Sequence, residues 1–170
     1  MQNGQREALT IPETGMAVLN DIGEARDVHP KNKVDAGKRL SLLAFNRVYG
    51  KDLVCSGPLY RDAQVQGRKV VITFDHVGSG LMVGRKHLMN PTVKVQEPLK
   101  RFQICESDGQ WKWANAEIVG RSSVAVWHNE IMKPAEVRYA WSPNPEGANL
   151  YNKEGLPTSV FKTGDLQAEK

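Results

Sequence analysis

The stretch Lys69-Val70-Val71-Ile72-Thr73-Phe74-Asp75 alternates along its length, with Val70, Ile72 and Phe74 on one face and Val71 and Thr73 on the other. Successive side chains of an extended chain point to opposite faces, so this pattern reads as a strand. Outward from it, residues 101–106 place Phe102 and Ile104 together, Asp108-Gly109 supplies a turn, and Trp111-Lys112-Trp113 follows as the return strand. Residues 116–119, 123–128 and 137–141 give further short strands between polar or proline-containing connections. About six such segments at this spacing predict an antiparallel β-sandwich rather than a sheet of βαβ units. Residues 142–163, rich in Pro, Gly and Asn, read as ordered coil across the sandwich.

The chain changes character near residue 50. Met16-Ala17-Val18-Leu19 is apolar throughout and predicts a short buried strand of the parallel type, followed by a loop at Asn20-Asp21-Ile22-Gly23. A helix is expected next: Pro30 suits its first turn, Ala36, Leu40, Leu43, Ala44 and Val48 recur at the spacing of one buried face, and Tyr49-Gly50 closes it. The expected fold is therefore mixed, with residues 1–50 the last strand and helix of an α/β domain and residues 51–170 an antiparallel β-sandwich. One strand and one helix cannot bury a core alone. Either they pack on the sandwich, or the chain is the C-terminal portion of a larger protein.

Composition narrows the function classes. The chain has 170 residues, is 40% hydrophobic and 25% charged, and carries a formal charge of +4, a normal globular balance. Its apolar runs are far shorter than the roughly 20 residues of a membrane span, so no membrane partner is expected. Lys and Arg are interleaved with 19 acidic residues and form no basic stripe, which argues against a nucleic-acid partner. The N-terminal residues have no apolar core of the secretory-signal kind. Cys55 and Cys105 lack metal-ligand spacing, as do His76, His87 and His128, and no metal or organic cofactor is expected.

Chemistry concentrates in Asp27-Val28-His29-Pro30-Lys31-Asn32-Lys33, which sets a carboxylate and an imidazole on one loop before the helix. A general-base His needs a partner that fixes its tautomer and stabilises the imidazolium formed when it takes a proton. Side chains two apart in an extended loop point the same way, so Asp27 can serve His29, and Asp21 is the second candidate. On spacing alone, a helix-entry role remains open for both Asp27 and His29. Neither Gly-Asp-Ser nor Gly-x-Ser-x-Gly occurs, and Gly78-Ser79-Gly80 lacks a strand-to-helix context.

Taken together, residues 11–18, Asp21-Ile22-Gly23-Glu24 and the loop from Asp27 to Lys33 closely resemble the C-terminal region of sialate O-acetylesterases, carbohydrate esterases of the SGNH hydrolase superfamily. Tyr49-Gly50, Ser56-Gly57-Pro58, Val137-Arg138-Tyr139-Ala140-Trp141, Ala148-Asn149-Leu150-Tyr151-Asn152, Gly155-Leu156-Pro157 and Phe161-Lys162-Thr163 extend the resemblance over nearly the whole chain. It implies an SGNH-type origin for the α/β part and an enzyme that removes O-acetyl groups from sialic acid or a related sugar. It assigns His29 as the catalytic base and Asp27 as its partner. The superfamily more often places its Asp three positions before the His, where this chain has Arg26. The resemblance further implies that the nucleophilic Ser lies on a block preceding Met1, so that the partners are the O-acetylated sugar and a Ser-bearing N-terminal part. A periplasmic or extracellular setting follows from it alone. A reading of a different class is a non-catalytic carbohydrate-binding or interaction module that keeps a catalytic remnant. Trp111 and Trp113, two apart on one strand face, suit a core or an exposed sugar platform, and core packing is expected of them.

Overall fold

The computed structural model describes residues 2–166. Two helices and a short 3-10 turn precede eleven strands: α1 (Gln2–Glu7), α2 (Lys33–Arg47), β1 (Leu59–Gln66), β2 (Lys69–Asp75), β3 (Leu81–Arg85), β4 (Val93–Lys94), β5 (Phe102–Cys105), β6 (Lys112–Trp113), β7 (Asn115–Val119), β8 (Ser123–Trp127), β9 (Glu136–Tyr139), β10 (Leu150–Asn152) and β11 (Phe161–Lys162). They form three sheets, ordered β1-β2-β8-β7, β10-β3-β4 and β11-β9-β5-β6. Every ladder between named strands is antiparallel.

The alternation of residues 69–75 has its expected consequence. Val70, Ile72 and Phe74 are buried, and Val70 and Ile72 pair with Val126 and Val124 of β8, which are buried too. Phe102, Ile104, Val137, Tyr139 and Phe161 of the β11-β9-β5-β6 sheet belong to the same core cluster. Phe161 lies at its centre, 5.0 Å from the ring of Tyr60, 5.6 Å from Phe74 and 6.0 Å from Tyr139. The Tyr139 hydroxyl accepts a 3.0 Å hydrogen bond from the Leu150 N–H, so this buried phenol joins the core to the third sheet. Two glycines are required by close approach. A Cβ on Gly57 would stand 2.1 Å from the Pro157 carbonyl oxygen, and one on Gly84 would stand 2.7 Å from the Tyr151 ring.

Residues 1–50 correct the expected architecture. Among the described residues they contain no strand, so the strand-and-helix end of an SGNH-type α/β domain is not what this chain forms. Met16, Ala17 and Val18 run as half-buried coil, and no strand lies beside them to pair with their backbone. The segment is held by side chains instead: Arg39 Nη1 donates to the Val18 carbonyl at 2.6 Å, and Asn20 Nδ2 donates to that of Thr158 at 3.0 Å. Strands β1, β3, β4, β10 and β11 are additions to the expected set: β1 alternates over residues 62–66, with Ala63 and Val65 between Asp62, Gln64 and Gln66, and the others are too short or irregular to show a period.

Helix α2 exists, but its cap and its buried face differ from expectation. Asn32, not the Pro30 turn, caps it, accepting from the Asp35 N–H at 3.0 Å. The buried stripe is Asp35, Arg39 and Leu43: Leu43 lies on the expected face, but Asp35 and Arg39 take the places expected of Ala36 and Leu40, which leaves Leu40 57% and Val48 75% exposed. Ion pairing sets this rotation. Lys86 Nζ, just beyond β3, lies 2.6 Å from Asp35 Oδ2, and Asn32 Nδ2 reaches the same oxygen at 2.5 Å. Burial pushes the Asp35 carboxyl up, but the hydrogen bonds from Lys86 and Asn32 and the charges of Lys86 and Arg39 outweigh it and hold it below the ordinary value.

Two stability predictions follow from this packing. Phe161→Ala, measured by urea unfolding, should cost ~3–5 kcal/mol, and Phe161→Leu less, because the cavity left is smaller. Since folding depresses the Asp35 pKa, its contribution is present above the unfolded value of 3.8 and is lost as pH falls through the lower, folded one. The Tm advantage of the native chain over Asp35→Asn should therefore be full at neutral pH and shrink in acid below pH 3.8.

Candidate functional site

The loop from Glu24 to Lys31 carries the residues assigned to proton transfer. Glu24 closes it at both ends. Its carbonyl accepts from the Asp27 N–H at 3.5 Å, a single antiparallel bridge, and its Oε1 accepts from the Lys31 N–H at 3.0 Å. Lys31 Nζ stands 3.8 Å from the other Glu24 oxygen. Within this frame Asp27 Oδ1 accepts the His29 N–H at 2.8 Å, a turn in which the carboxylate caps the backbone two residues on. Asp27 and His29 are therefore neighbours, as their spacing requires, and both side chains are exposed. Among the described residues, no serine hydroxyl is hydrogen-bonded to His29. The carboxylate that meets the chain here is engaged by backbone through one oxygen, and Oδ2 remains available as an acceptor.

Asp21, the second candidate partner, is placed elsewhere. The Arg39 guanidinium meets its carboxylate end-on, Nη1 to Oδ1 at 2.6 Å and Nη2 to Oδ2 at 2.7 Å, with both side chains buried. The Tyr151 hydroxyl donates to Oδ2 at 3.3 Å. Burial, and after it the Asp21 charge, raise the pKa of that phenol well above its ordinary value. With both oxygens taken inside the protein, Asp21 serves to hold the loop's root and α2 against β10.

A groove of about 660 Å³ adjoins the loop; Glu24, Ala25 and Arg26 line it together with Lys100, Glu146 and Gly147, whereas Asp27 and His29 stand outside its lining. Its cations are mostly neutralised locally. Arg85 and Lys100 both pair with Glu97, and Lys86 pairs with Asp35. Arg26 is exposed and, among the described residues, its side chain has no ion-pair partner. Asn149 and Tyr151 line the floor, but the Asn149 side chain is spent on backbone, accepting from the Lys100 N–H at 2.8 Å and donating to the Pro98 carbonyl at 2.9 Å. Asn152, fully buried, likewise accepts from the Leu156 N–H and donates to the Ser56 carbonyl. These asparagines are turn staples, in keeping with their sequence context.

The tryptophans divide. Trp111 faces two cations that are cross-strand neighbours, the Arg138 guanidinium at 4.1 Å from its ring centroid and the Lys162 ammonium at 5.6 Å. Trp113 departs from the expected core role: it is 60% exposed. Sequence spacing of two cannot separate a core face from a solvent face when the strand is at a sheet edge, where β6 lies. Among the described residues no group of three or more His, Cys, Asp and Glu could hold a metal ion, and no helix is long and apolar enough to cross a membrane. Cys55 and Cys105 are both free.

No family model and no curated protein matches the chain. Among solved structures, the fold is shared with the crystal structure of a novel carbohydrate acetylesterase from Xanthomonas citri, at 38% identity and a TM-score of 0.84. The match covers 95% of this chain and 35% of that one, so the chain spans about a third of the acetylesterase's length. Over nearly its whole extent, the chain is similar in sequence and fold to a part of a carbohydrate esterase.

Proposed function

We propose that this chain is the His-Asp part of a carbohydrate esterase that removes O-acetyl groups from sialic acid or a related sugar. The observation that carries the reading is the likeness to a carbohydrate acetylesterase over 95% of the chain, together with the Asp27–His29 turn on a loop beside an open groove. The acetylesterase chain is about three times as long, and the nucleophilic serine is assigned to polypeptide corresponding to its remainder. The substrate is the acetylated sugar, and the chemistry requires no metal or organic cofactor.

In this mechanism the serine oxygen attacks the acetyl carbonyl while His29 takes the hydroxyl proton. The tetrahedral intermediate then expels the sugar oxygen, to which His29 returns that proton, leaving an acetyl-serine. Water, deprotonated by His29, attacks the acetyl carbon; acetate leaves and the serine recovers its proton from the imidazolium. Asp27 orients the imidazole and offsets its positive charge. One oxygen of Asp27 is anchored by the His29 N–H, which fixes the carboxylate beside the residue it serves, and the other is left to accept from the ring.

The test is a graft. Residues 1–170 replace the stretch of the Xanthomonas citri acetylesterase with which they align, and acetate release from 4-nitrophenyl acetate and O-acetylated sialic acid is measured. The chimera should hydrolyse acetyl esters. His29→Ala should lower kcat by about 10⁶-fold and Asp27→Asn by about 10⁴-fold, the scale of removing the base and its orienting acid from a triad. A His29→Ala chimera that keeps the parent rate would overturn the assignment. Acetate release by the ungrafted chain above a mock preparation would overturn the placement of the nucleophile outside it.

A further inference from the structure

The groove beside the Asp27–His29 loop does not end at Glu146. Lys100, Glu146 and Gly147 also line a second, shallower depression of about 390 Å³, whose far wall is Trp113. The two depressions share these three residues and so form one path from Arg26 to Trp113 across the protein surface. We propose that this path is a binding site for an extended pyranose oligosaccharide, with Trp113 and Glu146 forming a sugar subsite remote from the reacting acetyl group. The inference rests on the esterase reading only for the ligand being a carbohydrate.

Three features converge at the Trp113 end. The indole is 60% exposed on the edge strand β6 and so is accessible to a ligand. A sugar ring has a C–H face whose weakly positive hydrogens match the negative face of an aromatic ring. The Arg101 guanidinium lies over one face of the Trp113 ring, 5.7 Å from its centroid, and its Nε donates to the Glu146 carbonyl, so a sugar would stack on the opposite face of the indole. The backbone is committed to this arrangement as well. Arg101 and Ala140 both hold left-handed conformations, φ 67° and 53°, and are joined by the Ala140 N–H to the Arg101 carbonyl at 3.0 Å.

Glu146 supplies the polar half. It is exposed, and among the described residues its carboxylate has no ion-pair or hydrogen-bond partner, although its carbonyl is taken by Arg101. Its two oxygens are acceptors for the vicinal hydroxyls of a pyranose stacked on Trp113. Lys100, by contrast, is tied to Glu97 at 2.8 Å and contributes only its stem. An aromatic face beside an unpaired carboxylate selects a ring with both an apolar face and a diol edge, which describes a sugar and not a planar anion.

Binding can be read without catalysis, so its failure and the failure of the esterase reading are separable. Intrinsic tryptophan fluorescence and calorimetry on the 170-residue chain would follow titration with xylohexaose and with α2,8-linked trisialic acid, each beside its monosaccharide. At least one oligomer should bind about tenfold or more tighter than its monomer. Trp113→Ala should remove that advantage, Trp113→Phe should keep part of it, and Glu146→Gln should weaken it. Circular dichroism checks that the variants fold, as expected for exposed positions. Oligomers that bind no better than monomers or not at all, or a folded Trp113→Ala chain that binds as the parent does, would overturn the proposal. Either result would leave the His29 dependence of the graft unaffected.

Discussion

The buried pair between Asp21 and Arg39 is the contact on which the N-terminal third depends. Taking both charges out of water costs several kcal/mol per ion, and this is offset only where the geometry is good and the remaining valences are filled. Here the pairing is two-pronged, Val18 accepts a third bond from the guanidinium, and Tyr151 donates to the carboxylate. Loss of one partner would strand the other charge inside the protein. The pair is thus a specificity device: it admits one placement of residues 16–21 against α2 and β10.

That placement decides what the helix shows to its surroundings. With Asp35 and Arg39 drawn inward by Lys86 and Asp21, the leucine and valine that a simple amphipathic reading would bury turn outward. The same geometry positions the Glu24–Lys31 loop, because its root follows Asp21 directly and its end runs into the Asn32 cap of α2. A charge pair, not a hydrophobic stripe, therefore sets where Asp27 and His29 stand.

The β half of the fold was readable because its signal is local and periodic. Val70, Ile72 and Phe74 announce a buried strand face, and Asp108-Gly109 announces a turn that does form, with Gly109 at φ 71°. Residues 1–50 misled for two reasons. An apolar run such as Met16 to Leu19 suits a strand only if a partner strand lies alongside, and no window of sequence reports that. The helix face went wrong because buried Asp and Arg count as surface residues in any hydropathy pattern. At the candidate site, the juxtaposition of Asp27 and His29 was legible from their spacing. The Trp113 surface was not, since an edge strand and a core strand share the same period.

The contacts that complete the fold join distant parts of the chain. Asn20 bonds Thr158 across 138 positions and Asp21 meets Tyr151 across 130, while Phe161, near the end, fills the centre of the core. Loops of such length must be closed before these interactions repay the entropy, so folding is slow for the size of the domain. During synthesis the earlier strands can pair in hairpins as they emerge, yet their apolar faces stay open until Phe161 and the β10–β11 segment have emerged. A ribosome paused before that point holds a polypeptide with most of these strands and no closed core, the state in which it depends most on chaperones.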